Sequence, residues 1–332
     1  MSRRRPSRWH GLLPVHKSAG PTSHDIVDMA RKALRERRIG HTGTLDPMAE
    51  GLLLLCVGGA TRLQQYLLDW DKTYRGLVRL GRATTTYDGE GETTGGPAPV
   101  PDLGRAELDA AEAAFTGEIE QQPPPFSAKK VAGRKLYEIA RSGEEVEVAA
   151  KRVAVHALRL ELVTRDVIEL EVTTSSGFYV RSLAHDLGLH FGCGGFLEHL
   201  ERLRIGPWNA TEALRQEALE AAADPGDVLA SSAWVPLERI ALPFPRIDLN
   251  PSAAERFLHG QEVIMFRATA EPLAAGDRVA AHALGGELLG IGTVQTVLAR
   301  GRTVAVQPTT VLGAAPVRHG ALTLVPPPEG RR

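Results

Sequence analysis

Apolar and polar positions along this chain follow two periods, which divide it into strand-like and helix-like stretches. Residues 11–17 ("GLLPVHK") and the run "GLLLLCVG" are short and nearly continuous in apolar character, as buried strands are. From Thr22, "TSHDIVDMARKALRERR" sets Ile26, Val27, Ala30, Ala33 and Leu34 on one stripe at helical spacing, with Thr22 or Ser23 as its cap. "ATRLQQYLL" and "RAELDAAEAAF" predict further helices, and "KTYRGLVRLG" predicts a strand. Residues 81–101, rich in Gly, Thr and Pro, predict a mobile loop. "QQPPPFSAKKVAGRKLYEIARSG" predicts a Pro-stiffened extended segment that runs into a basic helix. Strands are expected at about 151–165 and 167–175 around a tight "RD" turn. After them, "GFYVRSLAHDLGLHFG" predicts a helix packed through Val180, Leu183, Ala184 and Leu187 and closed by glycines.

From about residue 245 the texture changes to short strands and turns, "RVAAHALGGELLGIGTVQTV" and "RTVAVQPTTVL", the pattern of a small barrel. The fold class is therefore α+β, with a substantial sheet flanked by helices and a small C-terminal β-barrel. The domain boundary is expected near 240–246, dividing the chain into 1–242 and 243–332, and no repeat of fixed period interrupts either part.

Composition narrows the function classes. At 332 residues the chain exceeds what one core usually organises, and 43% hydrophobic with 24% charged residues suits an ordinary globular protein. No uninterrupted apolar run reaches bilayer length, and the basic start "MSRRRPSRWHGLLPV" lacks a signal-type apolar stretch, so a cytoplasmic protein is expected. Two cysteines, Cys56 and Cys193, supply neither a disulfide framework nor a four-thiolate zinc site. The formal net charge of -1 excludes a uniformly basic coat, yet the basic cluster Arg31, Lys32, Arg35, Arg37 and Arg38 gathers at one helix end. Such a cluster suits the helix dipole and phosphate contacts alike.

Candidate chemistry centres on "IGHTGTLDPMAEGLLLL". An Asp before Pro is an ordinary turn residue, but Gly40, Gly43 and Gly51 permit close approach by another molecule and His41 adds a donor. There is no phosphate-binding GxxxxGK[ST], no dinucleotide fingerprint in context, no HExxH and no GxSxG, so nucleotide cofactors, a metal centre and serine hydrolysis are set aside. Lys129, Lys130, Arg134, Lys135 and Arg141, interleaved with Phe126 and Tyr137, suit a nucleic-acid backbone and its exposed bases.

Taken in order, "GHTGTLDPMAEGLLLLCVGGATR", "DKTYRGLVRLG", "PPPFSAKKVAGRKLYEIARSG" and "SSGFYVRSLAHDLG" resemble the bacterial tRNA pseudouridine-55 synthases of the TruB family. The resemblance runs from about Gly11 to Pro207, and the later "LHGQEV" and "GELLGIGTV" are similar to a PUA domain, a small RNA-binding barrel. It implies isomerisation of a T-loop uridine without cofactor, metal or guide RNA, by a monomer whose partner is tRNA and which needs no other protein. The family's catalytic Asp falls on Asp46, its active-site aromatic on Tyr74, and its arginine beside the carboxylate on Arg181. His41 corresponds to the residue that occupies the space left by the extruded nucleotide, and Lys17, Tyr179 and Leu183 to the uridine pocket. Lys130, Arg134, Lys135 and Arg141 would grip the RNA. The uridine must leave its stack because a base inside a folded loop hides C1′ and C6 from any carboxylate.

This sequence departs from the family where "HKSAGPTS" places His16 and Ser18 at positions usually Asp and Pro, and where Phe178 replaces a common Thr. Two other classes fit less well. An RNA-binding module leaves Asp46 unexplained, and a glycoside hydrolase needs a second, well-placed acidic group.

Overall fold

The computed structural model describes residues 6–125, 149–266, 272–298 and 303–312, with the paired strands at 130–131 and 134–135. Two compact units divide the chain, Met1–Leu242 and Pro243–Arg332.

In the first unit, β1 (Gly11–Lys17) leads to α1 (Ser23–Ala33), β2 (Ile39–His41) and β3 (Glu50–Val57). The short α2 (Gln64–Leu67) precedes β4 (Lys72–Leu80), and two small strands follow, β5 (Ala83–Thr84) and β6 (Thr93–Thr94). Then come α3 (Arg105–Phe115), β7 (Gly117–Gln121), β8 (Lys130–Val131), β9 (Arg134–Lys135), β10 (Lys151–Thr164) and β11 (Val167–Thr174). After α4 (Val180–His190) and β12 (Gly195–Ile205), the short strands β13 (Trp208–Asn209), β14 (Leu214–Arg215) and β15 (Val235–Pro236) finish the unit. Eleven of these strands form one mixed sheet ordered β14-β1-β3-β12-β4-β11-β10-β7, with β2, β13 and β15 paired at its side. Only β1–β14 and β3–β12 run parallel.

Local sequence explains the elements that carry the site. Thr22 caps α1 in a reciprocal box with Asp25, and Ile26, Val27, Ala30 and Ala33 form its buried stripe. The remaining cap candidate, Ser23, is buried and turned to another task described below. The interior of β3 is buried on both faces, as its continuous apolar run requires, with Leu52, Leu53, Leu54 and Leu55 fully enclosed. In α4, Val180, Leu183, Ala184 and Leu187 pack into the main core.

Within 81–101, expected as a mobile loop, the part around Asp88 is fastened to β12. Asp88 is buried, and Leu197 of β12 brackets it, donating to the Tyr87 carbonyl at 3.0 Å and accepting from Gly89 at 3.0 Å. Of the segment expected to run from extended chain into a basic helix, four positions are described: Lys130 pairs with Lys135 and Val131 with Arg134 in an antiparallel ladder. The helix expected through Leu136, Tyr137, Ile139 and Ala140 lies outside the described residues. The Lys130, Arg134 and Lys135 side chains, and Arg141 altogether, lie outside the described residues.

The second unit is a five-stranded sheet, β16 (Arg246–Leu249), β17 (Val263–Phe266), β18 (Arg278–Ala283), β19 (Leu288–Leu298) and β20 (Thr303–Val311), ordered β16-β18-β19-β20-β17. The Pro251–Leu258 helix buries Phe257 against it among Val263, Val279, Val304 and Val306. The missing side chains at Gly290 and Gly292 let that ring lie on β19, because a Cβ there would come within 3.1 and 3.3 Å of it.

Candidate active site

One rung of the sheet assembles the site. Lys17, Gly51, Arg202, Tyr74 and Val172 are successive Cα partners across β1, β3, β12, β4 and β11. Paired residues share a face of a sheet, so Lys17, Arg202 and Tyr74 project together beneath the 42–49 loop. Gly51, at φ +96°, is the gap that lets β3 meet β12: a Cβ would stand 2.4 Å from the Arg202 carbonyl oxygen.

The loop bearing Asp46 is fastened from several sides. Lys17 is fully buried, and its Nζ donates to the carbonyls of Ser18 (3.0 Å), Pro47 (3.1 Å) and Ala49 (2.6 Å). Burial pulls its pKa down to about 8. These three carbonyls engage its ammonium, so Lys17 fastens the loop from within. Ser23 Oγ donates to the Leu45 carbonyl at 3.0 Å and accepts from the Leu45 amide at 2.8 Å, and Gly20 donates to the Pro47 carbonyl at 2.8 Å. From below, Arg202 donates through Nε to Leu52 O at 2.7 Å and through Nη2 to Gly43 O at 3.1 Å. The Tyr74 side chain lies beside the same guanidinium and favours its charged form. Burial of Arg202 lowers its pKa, an effect that Tyr74 and Asp46 oppose.

Above this base Arg181, at the start of α4, meets Asp46 in a two-point contact: Nε to Oδ2 at 2.9 Å and Nη2 to Oδ1 at 3.3 Å. The fork geometry fixes the plane of the carboxylate. Its other nitrogen, Nη1, bonds Asp88 at 3.1 Å and the Thr86 carbonyl at 3.1 Å. The Arg181 side chain is 7% exposed and Asp88 5%, while Asp46 retains 36%. Of the two carboxylates on this cation, Asp46 therefore faces outward, available to a reactant.

His41 ends β2, and its Nδ1 accepts from the Gly43 amide at 3.3 Å, which leaves the proton on Nε2. Burial lowers its pKa, with Arg202 second, so the imidazole is neutral at physiological pH. Tyr179 caps α4, and its backbone is clasped by the buried Gln121, which accepts from the amide at 2.8 Å and donates to the carbonyl at 2.9 Å. Leu183 is 1% exposed and belongs to the core. Asp46, Arg181, Tyr74 and Lys17 thus belong to one connected assembly.

Sequence reasoning missed Asp88, Arg202, Ser23's loop contact and Gln121. Asp88 carries a local signal, an Asp within a Gly- and Thr-rich turn whose side chain can bind nearby donors, and Glu90 N does donate to it at 3.1 Å. Arg202 carries none, because its meaning arises only where β12 crosses β3 and β4. No group of three or more His, Cys, Asp or Glu among the described residues could hold a metal, and no described helix is long and apolar enough to cross a membrane.

One residue beside the site makes a pH-dependent prediction. Asp186 on α4 is half-buried, and desolvation pushes its pKa up to about 6. A carboxyl whose folded pKa exceeds the unfolded value of about 3.9 favours the native state below pH ~4 and loses that favour as pH rises through ~6. Asp186→Asn removes the penalty. Urea unfolding is expected to show a gain of about 2 kcal/mol at pH 7.5, discounted for partial exposure, and no gain near pH 4.

Comparison with known proteins places this geometry. The family model described as "TruB family pseudouridylate synthase (N terminal domain)" matches residues 31–180. A protein of Chromohalobacter salexigens named tRNA pseudouridine synthase B is 44% identical over 78% of this chain and 83% of its own length. One of the same name from Cupriavidus pinatubonensis is 40% identical over 94% and 92%. Among solved structures, an H/ACA RNP bound to a substrate RNA containing 2′-deoxyuridine aligns with TM-score 0.70 at 23% identity, covering 92% of this chain and 85% of that one.

Proposed function

The chain belongs to the TruB family of pseudouridylate synthases, enzymes that isomerise uridine in tRNA, and on that premise we propose that it acts at uridine 55 of the T-loop through Asp46. Its first unit has the pseudouridine synthase fold and its second is PUA-like. The observation that carries the proposal is the carboxylate itself: held in one plane by a buried arginine on a loop fastened from several sides, it keeps an open face.

The isomerisation exchanges a C1′–N1 bond for a C1′–C5 bond, with no net gain or loss of atoms. An ionised Asp46 close to the ribose assists departure of the uracil from C1′ and takes a proton from the sugar. The freed base turns and rejoins through C5; Asp46 returns its proton to C2′, and the proton lost from C5 is balanced by one gained at N1 through solvent. Nothing in this sequence of steps calls for a cofactor.

The remaining residues support an extruded base. Tyr74 offers a ring for stacking, and its phenol lies beside the buried Arg202 guanidinium. A neutral His41 can donate through Nε2 into space left by the departed nucleotide. Extrusion costs a few kcal/mol, which stacking and hydrogen bonding offset. Tyr179 completes the pocket wall with the core residue Leu183 behind it, Lys130, Arg134, Lys135, Arg141 and the PUA-like unit contact the RNA, and the enzyme works as a cytoplasmic monomer. A purely RNA-binding role would give no reason for the ion-paired carboxylate.

The test is direct. Incubated alone with a T-arm hairpin transcript, the purified protein is expected to convert the T-loop uridine and no other, read by nucleoside mass spectrometry. A requirement for an added guide RNA or second protein would overturn the proposal.

A further inference from the structure

We infer that Tyr87 and His185 form a positioning clamp, a pair of stacked rings that holds Asp88 against Arg181 and so sets the plane in which Arg181 presents Asp46. This rests on the reading of Asp46 as the reacting group and deepens it.

The geometry is that of two short elements matched at two adjacent points. Arg181 and His185 are four apart on α4, so they stand one above the other on the same helical face. Opposite them, consecutive residues of the 84–91 loop supply the partners: Asp88 takes Arg181 Nη1 at 3.1 Å, and Tyr87 lies flat on His185 with ring centroids 3.9 Å apart and planes 8° from parallel. Reaching both at once requires unusual backbone, and Tyr87 sits at φ +64°, a left-handed conformation that a bulky residue adopts only when its surroundings compensate. The stack is one compensation, and the hydrogen bonds from Leu197 N to the Tyr87 carbonyl at 3.0 Å and from Tyr87 N to the Thr84 carbonyl at 3.3 Å are others.

The imidazole is suited to this place by what it lacks. Its Nδ1 is buried without a hydrogen-bond partner, so the face of the ring supplies the contact with the loop. Burial lowers its pKa, so no second positive charge arises one turn from Arg181 to compete for Asp88. Tyr87 and His185 touch neither Asp46 nor the open side of its carboxylate in any recorded contact. Their effect passes through Asp88 and Arg181, which makes them positioning residues.

Steady-state kinetics of the full chain on a T-arm hairpin and on whole tRNA test this. Tyr87→Ala and His185→Ala are each expected to lower kcat about tenfold with KM within twofold of the parent, while Tyr87→Phe, which keeps the ring, restores the parent rate. In an Asp88→Ala background Tyr87→Ala should cost less than a further twofold, because the group it positions is gone. An equal loss in both backgrounds, an unchanged kcat, or a loss confined to KM would overturn the clamp. Should an alanine variant not fold, Tyr87→Leu fills the space without a flat ring and carries the same expectation. Parent activity at a different tRNA uridine would sink the T-loop reading alone, and the clamp would then be scored at that uridine.

Discussion

Asp46→Asn is expected to bind a T-arm hairpin within about threefold of the parent affinity and to form no measurable pseudouridine. The substitution keeps size and shape but removes the charge that Arg181 orients at 2.9 and 3.3 Å. An amide oxygen is a poor proton acceptor and a poorer nucleophile, and its nitrogen would turn a donor toward the guanidinium. Carboxylate-to-amide changes at comparable positions cost on the order of 10⁴-fold in turnover, equivalent to about 5 kcal/mol of transition-state stabilisation. Single-turnover assays read by nucleoside mass spectrometry, with binding measured in parallel by fluorescence anisotropy, check both halves. Turnover above about 1% of the parent would remove Asp46 from the chemistry, and a collapse of affinity would make it an RNA contact.

The second large effect belongs to Arg202. Its guanidinium is enclosed completely and bonds the carbonyls of Leu52 and Gly43, with the Tyr74 side chain beside it, while Nη1 stands 3.5 Å from Thr44 O. Arg202→Met fills much of the same volume without a single donor, and so strands several buried acceptors at once. Breaking a buried charged network from one side costs about 3–5 kcal/mol, a large part of the stability of an ordinary domain. Urea titration should show that loss. The fraction that folds should also turn over more slowly, because Gly43 and Thr44 belong to the loop that carries Asp46. Arg202→Lys, with one compact ammonium in place of a planar fork, is expected to recover part of the stability and little of the rate. A Met variant as stable as the parent would contradict this account of the loop.

The two predictions differ in how visible their residues were before the fold. Asp46, Arg181 and Tyr74 were legible through the family resemblance that their motifs carry; by spacing alone they read as a turn residue, an ordinary helix arginine and a core tyrosine. Arg202 and Asp88 were not, for different reasons. "GFLEHLERLRI" is rich in charge, and its alternation is broken by register shifts at Leu197/His199 and Arg202/Arg204, so no clean strand period announces β12. Asp88 was hidden by composition: Gly and Thr in its surroundings suggest freedom, whereas here they supply a turn tight enough for the carboxylate to cap it.

Lys17, singled out as a pocket position, also fastens the loop, since a buried ammonium must find acceptors and three carbonyls supply them. The α-helical stripe of α1 and the apolar run of β3 were read accurately because burial enforces those periods directly.

The rung that joins Lys17, Gly51, Tyr74 and Arg202 draws on sequence positions nearly two hundred residues apart. Contacts so distant close late, since the chain must lose the entropy of a long loop before they reward it. During synthesis the turn carrying Asp46 therefore leaves the ribosome long before the arginine that underpins it. A nascent chain would hold a complete recognition motif yet no organised reaction centre until β12 emerges and threads between its two neighbours, which makes that strand the timer of the enzyme's maturation.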